Sequence, residues 1–369
     1  MTFSSFFSGA VLSMATLGPA EAVAFDSGRW KWDAVAARVE EHLGRKSLYL
    51  KGGVATVDGV RFTNGWIEFD VAFSGERGFM GGIWRVQDSK NYEEFYLRPH
   101  QSGNPDANQY TPVFHGLWGW QLYHGERYST PVVYRNNEWT HVRVLFAGDR
   151  AEIYVQDMAK PALFVDGLKR GVEPGGIGVS ALDFAPAHFS NFSFAITDTP
   201  PIQGHPGAPE PVPDGVIPSW WVSDAFRESG LQGKTALGPE DLERRSWTRL
   251  ETERSGLANL ARLQGVQFGK NTVFAKKIVR SDREQICRLD FGFSNRVRVY
   301  LNGRLLFRGN DPAQSRDYRF LGSIGYYDAL FLPLRQGENE ILMAISSEDL
   351  GGWGVQAKFE SLAGLTLVD

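Results

Sequence analysis

The sequence predicts an all-β protein, two β-sandwiches joined by a proline-rich linker. Three observations predict it. Apolar and polar residues alternate with period two over many short runs, the mark of half-buried strands. Turn formers are abundant, with 41 glycines and 18 prolines in 369 residues. Between residues 197 and 217 the alternation stops and proline takes over, as in a semi-rigid extended linker.

The first block runs from 23 to 196. Residues 65–72, 91–98, 139–146 and 151–155 alternate cleanly. Residues 32–42 instead suggest a short helix. Asp58-Gly59 and Gly148-Asp149 lie between strand-like runs and suit tight hairpins. The second block runs from 218 to 369. Residues 239–242 read as a helical turn. Strands are expected at 272–279, 285–291, 296–301, 329–334, 338–346 and 354–359. Asn302-Gly303 between two of these runs predicts a type I′ turn, whose central positions both need positive φ.

Bulk properties exclude several classes. The formal net charge is −4, and no basic stripe of the kind a nucleic-acid binder carries is present. Cys287 is alone, so no internal disulfide forms, and its apolar context reads as core. Residues 1–22 resemble a signal peptide: Phe6 to Leu17 is apolar, and Ala20-Glu21-Ala22 has the small-x-small form of a cleavage site. The first basic residue is only Arg29, which departs from that pattern. A secreted or periplasmic location is expected. The apolar run is too short to span a bilayer, and no other span is predicted.

Some residues carry a family resemblance. Phe62 to Asp70, then Gly81-Gly82-Ile83-Trp84-Arg85, then Asn91-Tyr92-Glu93-Glu94-Phe95-Tyr96-Leu97-Arg98 occur in that order. Trp139-Thr140-His141-Val142-Arg143-Val144 and Phe189-Ser190-Asn191-Phe192 follow. This block resembles the concanavalin A-like lectin/glucanase superfamily, within it the laminin G-like and 3-keto-disaccharide-hydrolase-like domains. The second block resembles the galactose-binding-like jelly roll, on Val299 to Arg304, Leu332-Pro333-Leu334, Gly337 to Ile341 and Gly351-Gly352-Trp353-Gly354. The resemblance implies a concanavalin A-like β-sandwich followed by a jelly-roll β-sandwich. It says little about function, because such folds host lectins, hydrolases and adhesion modules.

Strand parity gives the sharpest functional clue. In 91–100, Phe95 and Leu97 share one face, and Tyr92, Glu94, Tyr96, Arg98 and His100 the other. In 66–72, Ile67, Phe69 and Val71 oppose Trp66, Glu68 and Asp70. In 139–146, Val142, Val144 and Phe146 oppose Trp139, His141 and Arg143. Sugars stack C–H faces on aromatic rings while charged side chains bond their hydroxyls, so these mixed faces read as a ligand surface. Residues 99–128 add Trp118, Trp120 and Tyr123 in a glycine-rich stretch that reads as a binding loop. The selected ligand residues are Tyr96, Arg98, His100, Trp120 and Gln121, with Glu68 and Asp70.

Catalysis is the rival reading. Glucanases of the resembled fold use E-x-D-x-x-E. Here Glu68 and Asp70 supply two carboxylates, and Phe73 replaces the third. Arg85 or Arg98 near that pair would make it a structural ion-pair cluster instead. The chain lacks H-E-x-x-H, G-x-S-x-G and a phosphate loop. No cofactor or metal site is assigned. Calcium is the one ion whose ligand chemistry is represented, in the oxygen-rich Gly103–Asn108 loop, where turn chemistry explains the same residues. Trp353, between glycines, reads as a core lid. An exported carbohydrate-binding protein is therefore expected. A glycoside hydrolase or lyase, or an adhesion module without a sugar ligand, stands as the alternative.

Overall fold

The structure is a computed structural model and describes residues 17, 19–267, 269–311, 316–322, 324–347 and 351–368. The apolar run beginning at Phe6 lies outside these residues except for Leu17. Glu21–Ala22, inside the expected leader, pairs with Phe194 and Ser193, and Val23 and Phe25 are buried.

Among the described residues the first block forms a thirteen-stranded antiparallel sheet that folds over itself. The strand Arg45–Val57 makes the corner. Its first half pairs with Ala187–Ile196 through Leu48–Leu50, and its second half with Gly176–Ala181 through Gly53–Thr56. Gly52 sits between the halves at φ +68°, a conformation glycine adopts without strain. The two layers meet on Ile67, Phe69, Val71, Phe95, Leu97, Val142 and Val144, all fully buried. Gly82 shows how close they come: a Cβ there would lie 2.7 Å from the Phe69 ring.

The alternating runs are strands, at Gly65–Ala72, Asn91–Leu97, Thr140–Ala147 and Arg150–Val155. The expected helix is not formed. Trp30–His42 is a thirteen-residue strand paired along Arg45–Val57. Its residues favour helix, but a long partner strand overrides so weak a preference. Gly148-Asp149 does turn a hairpin between Thr140–Ala147 and Arg150–Val155. Asp58-Gly59 only turns, because the next strand pairs with Thr140–Ala147 and Ala187–Ile196 instead. The supposed loop 99–128 also contains a fully buried strand, Asn108–Phe114.

Among the described residues the second block packs a seven-stranded sheet on a four-stranded one. Val297, Val299, Leu301, Ile341, Met343 and Ile345 from one meet Leu289, Phe291, Leu332 and Val355 from the other. Trp353 closes this core at 0% exposure, its Nε1 donating to the Ile345 carbonyl at 3.0 Å. Cys287 packs half-buried against the same core. Asn302 and Gly303 have φ +50° and +77°, as the predicted turn requires.

Residues 114–124 fasten the two sandwiches. Phe114 and Leu117 enter the second core, and Leu122 and Tyr123 cluster with Leu257 and Ile324. The Tyr123 hydroxyl donates to Glu253 at 2.5 Å, and Lys169 Nζ reaches the same carboxylate at 2.7 Å. Residues 200–213 form neither helix nor strand, and the linker is tied down: the amides of Gln203 and Gly204 donate to the buried Glu152 carboxylate.

Candidate functional site

The strand Asn91–Leu97 turns Phe95 and Leu97 to the core and Glu94 and Tyr96 away from it. Next to it, Asn108–Phe114 pairs Gln109 with Tyr96. The chain then reverses through the short strand Leu117–Trp118, whose pairing with Val113 and Phe114 brings Trp118 over Glu94. Gly119 donates back to the Pro112 carbonyl at 3.1 Å, and the reversal leaves Trp120 half-buried beside the second sandwich. There the Trp120 indole packs against Gly351, where a Cβ would lie 2.5 Å from ring atoms.

These elements enclose a cavity of about 340 Å³ at the junction of the sandwiches. The first sandwich lines it with Arg77, Phe79, Glu94, Tyr96, Arg98, Trp118, Trp120, Leu182 and Phe184. The second contributes Leu321 and Gly351. Five of the eleven lining residues are aromatic.

Two charged groups lie under that wall. Glu94 is 3% exposed. It accepts from Trp118 Nε1 at 2.6 Å and from the Ser180 hydroxyl. Burial pushes its pKa up to about 7, against the pull of those two donors. Arg98 is 1% exposed. It donates to the Asp106 carbonyl at 2.9 Å, the Tyr96 hydroxyl at 2.8 Å and the Gln109 side chain, while the Asp106 carboxylate lies 3.4 Å away. Its Nε has no partner. Burial raises the Asp106 pKa despite that arginine. At the rim, the Arg77 guanidinium stands 4.8 Å from the Phe184 ring centre.

Glu68 and Asp70 belong elsewhere. They lie on Gly65–Ala72, in the layer that faces the Met80–Asp88 strand across the core, so their outward side is opposite the cavity. His141 bridges them, with Nδ1 2.5 Å from Asp70 and Nε2 2.9 Å from Glu68. Arg143 Nε reaches Glu68 at 2.5 Å, and Arg45 and Asn191 reach Asp70 at 2.5 and 2.6 Å. Hydrogen bonds to Asp70 and Glu68 raise the His141 pKa to about 9. Burial alone would raise both carboxyls, but the His141 bonds and their other partners outweigh it and hold both below the ordinary range.

The single ligand face expected from parity is thus two separate surfaces. Parity correctly grouped Glu68, Asp70, His141 and Arg143, which are cross-strand neighbours. The counter-charges differ from those expected. Arg85 is buried and spends its guanidinium on the carbonyls of Thr63, Gly148 and Gly171. Tyr96, Arg98 and Trp120 do come together. His100 sits beside Phe79 at 5.3 Å between ring centres, outside the lining, with Nδ1 accepting from Gly78 at 3.4 Å. Gln121 is fully buried in the inter-sandwich contact, its amide donating to the Gly351 carbonyl at 2.9 Å. Trp66 is buried beside Leu145 and Tyr154. Two of the oxygens considered for calcium are engaged by protein: the Asp106 carboxylate meets Arg98, and Asn108 Oδ1 accepts from the Thr130 amide at 3.2 Å. Arg77, Phe79, Phe184, Leu321 and Gly351 carried no periodic signal in the sequence.

Fold and site together define a two-sandwich β protein with a ligand-sized aromatic cavity at the junction of its halves. No protein-family model matches the chain, and no curated protein matches it. Solved structures similar to it include the carbohydrate-binding module CBM66 from Bacillus subtilis, at TM-score 0.36 and 15% identity over 45% of this chain and 96% of that one. The xylan β-1,4-xylosidase from Bacillus halodurans is similar at TM-score 0.32 and 13% identity over 47% and 37%. A protein of unknown function with a galectin-like fold from Bacillus subtilis is similar at 0.33 and 10% over 45% and 88%. At these scores the reading of the ligand rests on the cavity itself.

Proposed function

We propose that the chain is an exported carbohydrate-binding protein whose ligand occupies the cavity between the sandwiches. The observation that carries this is one cavity walled by Phe79, Tyr96, Trp118, Trp120 and Phe184, with Arg77 at its rim and Glu94 and Arg98 buried beneath the wall. Aromatic faces take the C–H faces of a sugar ring, and charged groups bond its hydroxyls. The volume, about 340 Å³, is at the small end of ligand sites and suits one or two sugar units. In this reading the first half is a concanavalin A-like sandwich and the second a galactose-binding-like jelly roll that completes the site.

Binding is preferred to hydrolysis on carboxyl count. Glycosidases that work through paired carboxyls hold them about 5–9.5 Å apart. Among the described residues the cavity lining offers Glu94 alone. Glu68 and Asp70 are both held low, so neither keeps the proton a general acid needs at neutral pH.

The test is titration calorimetry of the purified chain against soluble oligosaccharides, run beside an assay for reducing ends. Binding without release, weakened at least tenfold by Trp120→Ala, is the expected result. Release of reducing ends would replace this reading with an enzyme. Binding that ignores Trp120→Ala and Trp118→Ala would remove the cavity as the site.

A further inference from the structure

We propose that the ligand is an acidic saccharide, a uronate whose carboxylate is taken by Arg77 at the rim, over the buried charge of Arg98. This rests on the carbohydrate reading above and names its substrate class.

A cation taken out of water is costly unless paired, and Arg98 pairs at 3.4 Å with the equally buried Asp106 carboxylate. Its other partners are neutral oxygens: a carbonyl, a phenol and an amide. One guanidinium nitrogen has no partner at all. Arg98 itself is occluded, so its part is to set the field and to hold the Tyr96 hydroxyl.

Arg77 is the group a ligand can reach. It is exposed, no ion pair engages it among the described residues, and its guanidinium stands over the Phe184 and Phe79 rings, 4.8 and 5.8 Å from their centres. A guanidinium standing over aromatic faces with an open edge fits a planar carboxylate. Glu94, the one acidic group in the lining among the described residues, already has its oxygens engaged by Ser180 and Trp118. His100 accepts at Nδ1 from a backbone amide, so it is held as a neutral ring and adds no charge. At neutral pH the lining is therefore cationic, and its apolar walls strengthen that field. Because Asp106 already pairs Arg98, Arg77 is the cation that a uronate carboxylate would pair and a neutral sugar would not.

The experiment is calorimetry of the full chain with trigalacturonate and an alginate trisaccharide, against xylotriose, cellotriose and mannotriose. The uronates are expected to bind at least tenfold more tightly than any neutral trimer, and to weaken as salt rises. Arg77→Ala is expected to cost about tenfold more on uronates than on neutral trimers, the size of one charge-assisted hydrogen bond. Neutral trimers that bind as tightly as uronates, or uronate affinity untouched by Arg77→Ala, would overturn the inference and leave the carbohydrate reading standing. Failure of every sugar would remove both.

Discussion

The indole Nε1 of Trp118 donates to Glu94 Oε2 at 2.6 Å, joining the aromatic wall of the cavity to the carboxyl beneath it. This bond fixes the Trp118 ring, and it holds Glu94 where burial raises its pKa to about 7. A carboxyl whose pKa is higher folded than unfolded destabilises the fold as pH rises from the unfolded value to the folded one. Stability is therefore expected to fall between about pH 4.5 and pH 7 through this group. Glu94→Gln keeps an acceptor for Trp118 and removes the charge. It should raise the melting temperature at pH 8, with the gain vanishing near pH 4. Thermal scans across that range check it, and an equal shift at both ends would sink the account.

The second sandwich backs the first at Trp120. Gly351 leaves no room for a side chain there, since a Cβ would come within 2.5 Å of the indole. Gly351→Val should displace the ring and weaken saccharide binding at least tenfold while circular dichroism stays unchanged. Unaltered affinity would mean that the second sandwich only adjoins the site.

His141 should make stability depend on alkaline pH. Its folded pKa of about 9 exceeds the ordinary histidine value, so the stabilisation is complete below about pH 6.5. It is lost as pH rises through 9. Asp70 and Glu68 are held low, and their contribution is lost instead as pH falls through the carboxylate range. His141→Gln should flatten the alkaline slope. Chemical denaturation at pH 6.5 and 9.5 measures it, and an unchanged slope would count against the cluster.

Gly82 should tolerate nothing larger. Its missing side chain makes room for the Phe69 ring from the opposite layer. Gly82→Val overpacks that contact and is expected to cost about 1–3 kcal/mol, read as a lower urea midpoint. A neutral result would mean that the layers part more readily than the close contact suggests.

Much of the fold was legible locally. Gly65–Ala72 and Gly354–Phe359 match the alternating runs residue for residue, because one face of each strand must reach the core. Asn302-Gly303 announced its hairpin through positive φ. The failure at 32–42 has an equally local cause. The turn joining that strand to its partner is Leu43-Gly44, with Leu43 at φ +47°, a place where leucine is rare. No turn signal interrupted the helix-favouring residues.

The candidate site was legible only in fragments. Period two stated that Glu94, Tyr96 and Arg98 leave the core together, and that Glu68 and Asp70 share a face. It could not state that these faces belong to opposite layers, since parity carries no information about which strands pair. That was decided when Arg45–Val57 bent at Gly52 and served both layers.

By itself the sequence determined an all-β chain, two strand-rich blocks and the inward and outward side of each strand, because burial imposes a period that side chains must obey. The tertiary structure alone decided where the ligand cavity lies. Arg77 and Phe184 from loops, Trp120 from a chain reversal and Gly351 from the other sandwich are distant in sequence. Only long-range packing brings such residues to one wall.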